Sequence, residues 1–183
     1  LSLTGEPVRS ATQKAVTLAR ESGAVISFDP NLRPPLWEDM DSAREQIRWG
    51  LAQCDVLKIS DDELLFMTGE TDFDMGVSKL RNRYPNLRLI NVTAGAQGSY
   101  AYYKDLRVFQ PGLRLGGVIE TTGAGDTFCA CVLNFLLECG LEGLAQESIS
   151  QMLQFANTAA YLVTTRRGAI RSMPELEQIQ SLL

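Results

Sequence analysis

Two glycines and an aspartate, placed directly before an apolar helical pattern, are the residues of this sequence best suited to chemistry. They lie in Thr121-Thr-Gly-Ala-Gly-Asp-Thr127. Glycine lets backbone N–H groups approach a ligand closely, and a helix N-terminus carries a partial positive charge. The segment is therefore predicted to cradle an anion. Asp126 could act there as a base, or it could merely satisfy an amide of the first helical turn.

Residues 121–128 resemble the C-terminal signature of the ribokinase-like (PfkB) carbohydrate kinases. The resemblance implies that Gly123, Ala124 and Gly125 supply N–H groups that stabilise the transferring γ-phosphoryl of ATP. It also implies that Asp126 accepts the proton of the attacking sugar hydroxyl. Phosphoryl transfer needs positioning and charge neutralisation more than covalent work, which agrees with these roles. The loop is not a Walker A motif, because no Gly-Lys-Ser/Thr follows the glycines.

A proline-rich run, residues 28–37, follows the first predicted strand at the edge where open α/β sheets bind ligands. This run resembles the corresponding stretch of fructokinases and 2-keto-3-deoxygluconate kinases. The resemblance implies that Asn31 and Arg33 face the sugar or its phosphate, and an arginine suits paired hydrogen bonds to anionic oxygens. The alternative is a stiffened turn with Arg33 on the surface.

Residues 58–63 are similar to the family's Asn-x-x-Glu motif, with Ser60 in place of the asparagine. The resemblance implies that Glu63 helps to hold the hydration shell of Mg²⁺ near the phosphates. A carboxylate that only stabilises the start of a helix is the alternative interpretation.

Residues 92–98 resemble the Thr-x-Gly-x-x-Gly turn that lies along the nucleotide in this family. Thr93, Gly95 and Gly98 are therefore candidates for ATP contact, and Asn157 resembles a residue of the adenine pocket. As a bare pattern, the turn only indicates the entry to a glycine-containing hairpin.

A monovalent cation, K⁺, is also implied by the resemblance. Its candidate ligands come from two segments of the chain: Glu120, Thr122, Val163, Gly168 and Ser172. Family members usually have Asp before the paired threonines, whereas this chain has Glu120. The longer side chain displaces the carboxylate, so activation by the cation is left open, while the role of Asp126 as the base does not depend on it.

The elements that must position these residues alternate short β-branched runs with longer helical patterns, which predicts an α/β fold with a largely parallel sheet. The resemblance makes this fold a ribokinase-like three-layer sandwich. Helices are predicted over residues 6–22, 39–54, 61–68, 72–84, 124–139 and 143–165, with a short one from 174. Strands are predicted over residues 24–28, 55–60 and 88–93, a hairpin over 98–103 and 106–110, and a strand-like stretch over 117–119.

The resemblance covers the entire chain but only the C-terminal portion of a family member. The chain begins with Leu1 rather than Met, and the family's N-terminal strands, β-lid and sugar-gripping residues have no counterpart in it. We therefore expect residues 1–183 to be the C-terminal part of one kinase domain, carrying the ATP site and the base. We expect this part to be inactive by itself.

Composition excludes several classes of protein. Apolar residues make up 45% of the chain and charged residues 21%, as in ordinary globular domains. A net charge of −5 argues against a nucleic-acid partner. No apolar stretch is long enough to span a membrane, so we expect a cytoplasmic protein. The four cysteines lack paired spacing and the chain has no histidine, which predicts free buried thiols rather than a zinc site.

Together these features predict an ATP-dependent kinase that phosphorylates a small sugar at a primary hydroxyl, with ATP and Mg²⁺ as cofactors. Fructokinase-like activity is the first expectation, and 2-keto-3-deoxygluconate kinase is the nearest alternative. An alternative of a different class is a non-catalytic, nucleotide-binding remnant that acts through another chain. The resemblance also implies a homodimer for the full-length protein.

Overall fold

Capping side chains mark where several helices begin in the computed structural model, which describes residues 1–183. The side chains of Asp39, Ser60 and Asp72 each accept a backbone N–H from the first turn of the following helix. The helices are α1 (Val8–Glu21), α2 (Met40–Gln53), α3 (Asp61–Thr68), α4 (Phe73–Arg83), α5 (Ala124–Cys139), α6 (Gln146–Thr164) and α7 (Leu176–Gln180). The strands are β1 (Ser27–Phe28), β2 (Val56–Ser60), β3 (Leu89–Thr93), β4 (Gly98–Tyr103) and β5 (Leu106–Pro111).

The chain forms two compact units, unit 1 (Leu1–Val92) and unit 2 (Thr93–Leu183). Unit 1 is built on the neighbouring strands β1, β2 and β3. Strands β1 and β2 run parallel, with Phe28 opposite Leu57. The first four residues of β2 are all buried, as in a parallel sheet that is covered on both faces. Helices α2 and α4 contribute apolar side chains to this core, among them Ile47, Leu51 and Leu80.

Unit 2 combines an antiparallel hairpin with two long helices. In the hairpin β4 pairs with β5, and Lys104 adopts a positive φ of 49° at the turn. Helix α6 packs against both α5 and the hairpin and buries residues along its whole length, from Ile149 to Thr164. Helix α5 begins at the glycine-rich loop, so the core of unit 2 fixes the position of that loop. None of the seven helices is both long and apolar enough to cross a membrane.

The predicted α/β order, the mostly parallel core and the hairpin are confirmed. The strand-like stretch predicted over residues 117–119 is wrong. Gly116 and Gly117 have positive φ values of 83° and 74°, outside the extended region of a regular strand, and the N–H groups of Ile119 and Glu120 donate to the Thr164 carbonyl. That carbonyl belongs to the last turn of α6, where no intrahelical donor is available.

Two other elements start three residues later than the sequence predicts. Strand β1 has only two residues instead of five. Helix α6 starts at Gln146 and not at residue 143, because Ala145 is still extended and its N–H donates to the Ser148 hydroxyl.

All four cysteines are free, as predicted, but only Cys54 is fully buried. Cys139 is exposed at the end of α5, which corrects the prediction of four buried thiols. Burial raises the pKa of the Cys54 thiol to about 12 and that of Cys131 to about 11. Both thiols are therefore poor nucleophiles at neutral pH.

Candidate active site

The glycine-rich loop forms the N-terminus of α5. Gly123 is the N-cap residue, with a φ of 84° in the left-handed region that favours glycine. A Cβ at this position would meet the Cα and Cβ of Ala169 at 3.3 Å. The Ala124 N–H donates to the Thr121 carbonyl at 3.2 Å, whereas helix geometry leaves the amides of Gly125 and Asp126 without an intrahelical acceptor. These two amides and the helix dipole give the loop groups that can bind an anion.

Asp126 lies in the first turn of α5 with an exposed side chain. Its carboxylate makes no hydrogen bond or ion pair with the protein, and the N-cap residue before it has no side-chain cap. The interpretation of Asp126 as a residue that only satisfies a helix amide therefore has no hydrogen bond to support it. Both carboxylate oxygens are left for a ligand.

A cavity of about 260 Å³ opens beside this loop within unit 2. All four residues predicted to contact ATP line it, and so do Ala124 and Gly125 of the loop. The lining residues are Thr93, Gly95, Ala96, Gly98, Gly112, Leu113, Val118, Thr121, Ala124, Gly125, Phe128, Asn157, Ala160, Tyr161 and Thr164. The structure thus brings the predicted nucleotide residues and the glycine-rich loop to one mostly apolar cavity.

Two of the predicted ATP residues build the wall of this cavity. The Asn157 amide group donates to the carbonyls of Gln110 and Pro111, at 3.0 and 3.3 Å, and its Oδ1 accepts from the Ser99 hydroxyl at 2.9 Å. Gly98 has a φ of 118°, and a Cβ there would lie 2.2 Å from the Gln110 carbonyl oxygen. Asn157 therefore ties the hairpin to α6, and Gly98 lets the backbone of the two strands close up.

The other predicted ligand residues, Asn31, Arg33 and Glu63, come together within unit 1. Glu63 is 6% exposed, and its two oxygens accept the N–H groups of Leu32 and Ser60, at 2.7 and 2.8 Å. The second bond completes a capping box with the Ser60 side chain, so serine replaces the family's asparagine without loss of the cap. Glu63 thus holds the segment of residues 31–33, called the 31–33 arm below.

The arm presents Arg33 to solvent. Asn31 has a positive φ of 47°, and its N–H donates to the Asp29 carboxylate at 3.2 Å. The Arg33 guanidinium has one hydrogen bond within the protein, to the Leu32 carbonyl, and leaves its other N–H groups available. An exposed, mostly unpaired guanidinium on a tethered turn is suited to bind an anion.

A family model for the "pfkB family carbohydrate kinase" matches residues 2–176 of the chain. The chain belongs to the pfkB family. It is 39% identical over 174 residues to "Probable fructokinase-2" of Arabidopsis thaliana. The match covers 95% of this chain and 52% of the relative. The chain therefore spans about half the length of this relative.

Solved structures of pfkB-like enzymes share the fold. The fructokinase of Vibrio cholerae O395, bound to fructose, ADP and calcium ion, matches all of this chain with a TM-score of 0.87 and 29% identity, covering 58% of its own length. A double mutant of that enzyme, bound to fructose, ADP and potassium ion, matches with a TM-score of 0.88. The aminoimidazole riboside kinase of Salmonella enterica, complexed with its riboside and an ATP analogue, gives 0.85 at 27% identity over 98% of this chain and 59% of its own.

Sequence reasoning missed the apolar part of the cavity. Asn157, Ala160, Tyr161 and Thr164 line it at helical spacing along one face of α6, so the known position of Asn157 could have predicted the others. The Tyr161 hydroxyl also donates to the Gly116 carbonyl at 2.7 Å, which fixes the loop before α5.

Four of the five predicted cation ligands adjoin one another in unit 2. A hydrogen bond from the Thr122 side chain and one from the Gly168 N–H, at 3.2 Å, hold the pKa of Glu120 below its usual value. The Ser172 hydroxyl donates to the Gly168 carbonyl at 2.6 Å. The Val163 carbonyl accepts the backbone N–H of Arg166, and the Val163 side chain is buried.

These oxygens fit a monovalent cation poorly. The Glu120 carboxylate, a predicted ligand, accepts the Gly168 N–H, and the Ser172 hydroxyl donates to the carbonyls of Gly168 and Ala169. Glu120 is thus bonded directly to the loop. For direct metal binding, the chain has no group of three or more Cys, Asp or Glu side chains placed together.

Sequence reasoning also missed a buried ion pair in unit 1. Lys58, in the middle of β2, is 7% exposed, and its ammonium lies 3.2 Å from Oδ1 of Asp29. A lysine inside an otherwise apolar strand was the available signal, since parallel strands in a covered sheet are normally continuous apolar runs.

Proposed function

We propose that this protein is an ATP-dependent sugar kinase that transfers the γ-phosphoryl group to a primary hydroxyl, with fructose as its substrate. The observation that carries the proposal is the unpaired Asp126 carboxylate beside open amides at the edge of the unit 2 cavity. A base, an anion cradle and a cavity lined by the predicted nucleotide residues are the parts that phosphoryl transfer requires.

Each part has a distinct role in the proposed reaction. The cavity binds the nucleoside of ATP, and the loop of Gly123, Ala124 and Gly125 places the γ-phosphoryl at the N-terminus of α5. The amides of Gly125 and Asp126 stabilise the charge that develops on its oxygens. Asp126 accepts the proton of the attacking hydroxyl. Mg²⁺ bound to the phosphates would neutralise their charge, and Glu63, whose oxygens keep lone pairs beyond the two N–H bonds, would hold its water shell.

The choice of fructose rests on the relatives that carry the name fructokinase. Arg33 and Asn31 are proposed to bind the sugar or a phosphate group. An exposed guanidinium would equally suit the carboxylate of 2-keto-3-deoxygluconate, which is the second candidate substrate. The similarity to a riboside kinase adds a nucleoside to the panel of substrates to be tested.

Coupled assays on the protein made from its complete gene test this proposal. Fructose, 2-keto-3-deoxygluconate and a purine riboside are compared at fixed Mg-ATP, and kcat/KM is measured for each. We expect fructose to give the highest value. A higher value for one of the others would replace the substrate and keep the reaction, whereas turnover of none, with ATP still bound in calorimetry, would favour the non-catalytic nucleotide-binding alternative.

The proposal extends to the setting of the protein. A kinase that draws on the ATP pool is proposed to be cytoplasmic, and the full-length protein is proposed to be a homodimer. Light scattering on the purified full-length protein would show twice the monomer mass if this assembly is right.

A further inference from the structure

Lys58 and Asp29 form a cross-strand pair at the edge of unit 1 where the 31–33 arm begins. In the β1–β2 register Phe28 lies opposite Leu57. Asp29 directly follows Phe28 and Lys58 directly follows Leu57, so these two residues are also neighbours. Their side chains meet at 3.2 Å, and both are mostly buried, with 17% and 9% of the side-chain surface exposed. The pair therefore sits at the base of the arm and not on the surface.

One oxygen of Asp29 carries both interactions. Oδ1 accepts from the Lys58 ammonium and from the Asn31 N–H, each at 3.2 Å. Burial raises the pKa of the Asp29 carboxyl above its usual value, and the Lys58 charge acts against that rise. Lys58 thus favours the charged carboxylate that the arm uses as an acceptor.

The arm is held at two consecutive amides by two acidic side chains. The Asn31 N–H donates to the Asp29 carboxylate, and the Leu32 N–H donates to the Glu63 carboxylate. These bonds hold Asn31 at its positive φ of 47°, which costs a non-glycine residue free energy unless its surroundings fix it. Arg33 follows immediately, so its backbone position is set by the same bonds.

We propose that Lys58 is a positioning residue: through Asp29 it holds the 31–33 arm in the conformation that presents Arg33 to a phosphate group of ATP or to the sugar. This inference rests on the proposed function for the identity of the substrate. A buried ion pair is weak evidence for stability, because apolar residues of similar volume often stabilise a core as well or better. A role in fixing the arm explains why two charged side chains are buried here.

Three variants of the full-length protein test the proposal. Lys58→Met removes the ammonium and keeps most of the length of the side chain. The double variant Asp29→Leu with Lys58→Met removes both charges and the acceptor of the Asn31 N–H, so that no unpaired charge is left buried. Lys79→Met is the matched control, since it breaks the Lys79–Glu70 ion pair, in which the lysine is half exposed, on α4 of the same unit.

We expect both Lys58 variants to raise KM for the sugar or for Mg-ATP about tenfold with little change in kcat, because the arm contributes binding that is equal in the ground and transition states. We expect hydrogen–deuterium exchange of residues 29–37 to become faster in both, even where the double variant regains the thermal stability of the wild type. Lys79→Met should change neither quantity.

Unchanged exchange and unchanged KM in the Lys58 variants, with only a lower melting temperature, would overturn the proposal and leave Lys58 a structural residue. The exchange measurement needs no turnover. If the wild type phosphorylates no sugar, the proposed function fails. Faster exchange in the Lys58 variants would still support the role of Lys58 in holding the arm, and unchanged exchange would overturn it.

Discussion

Unit 1 and unit 2 hold their candidate ligand-binding groups by different means. In unit 2 the anion site is made of backbone: the N-terminus of α5, the left-handed Gly123 and two open amides, with Asp126 exposed beside them. In unit 1 the 31–33 arm is held by side chains that are largely buried, Lys58, Asp29 and Glu63.

This difference predicts how each region fails. A backbone site depends on the conformation of a few contiguous residues, so it is lost when a side chain disturbs that conformation. A site held by buried charges depends on partners far apart in the chain, and removing one partner leaves the other charge unpaired. Changes in unit 2 should therefore act mainly on catalysis, and changes in unit 1 mainly on binding and stability.

The largest effect is expected for Asp126→Asn in the full-length protein. The amide cannot accept the proton of the hydroxyl, so kcat should fall about 10³-fold, while the affinity for ATP in calorimetry stays close to that of the wild type. Asp105→Asn, at the exposed hairpin turn of the same unit, is the control and should keep full activity. If kcat of Asp126→Asn barely changes, the assignment of the base is wrong.

A second substitution separates the backbone cradle from ordinary glycine strain. Gly123 and Gly140 cap the two ends of α5, both with positive φ, but only Gly123 has atoms within 4 Å of an added Cβ. Each change to alanine should destabilise the protein by about 1–2 kcal/mol. Only Gly123→Ala should also lower kcat, by about 10²-fold, because the open amides move. Equal kinetics for the two variants would show that the cradle plays no part in the reaction.

These two residues also show what a sequence can reveal. The roles proposed for Gly123 and Asp126 could be inferred from one contiguous motif, because a helix N-terminus and its glycines are local structure. Lys58 and Asp29 are 29 positions apart, and Glu63 and Leu32 are 31 apart, so their pairing depends on the strand register. The prediction of a strand-like stretch over residues 117–119 was wrong because Gly117 has a positive φ and the N–H groups of Ile119 and Glu120 donate to the Thr164 carbonyl of α6.

The cation loop gives a smaller expected effect. Because Glu120 binds the Gly168 N–H directly, replacing K⁺ by tetramethylammonium should change kcat of the wild type less than about twofold. Glu120→Asp is too short for that bond and should make the enzyme more dependent on K⁺. Melting curves with each salt provide a readout without turnover, since a bound ion stabilises the folded state. Strong activation of the wild type by K⁺ would contradict the poor fit of this loop.

The smallest effect is expected for the cysteine thiols, whose exposure differs between the two units. Unit 1 contains only Cys54, buried and with a pKa raised to about 12, whereas unit 2 contains the exposed Cys139. Titration of the native protein with Ellman's reagent at pH 8 should show a fast phase that disappears in Cys139→Ser. Cys54 should react only after unfolding. A fast phase that persists in Cys139→Ser would place an accessible thiol elsewhere.

A crystal structure of the full-length protein with fructose and a non-hydrolysable ATP analogue tests the central account most directly. The account predicts that the terminal phosphate accepts hydrogen bonds from the amides of Gly125 and Asp126. It also predicts that the Asp126 carboxylate lies about 2.6–3.2 Å from a primary hydroxyl of the sugar. A nucleotide bound away from the N-terminus of α5, or an Asp126 paired with a protein group instead of the sugar, would contradict it.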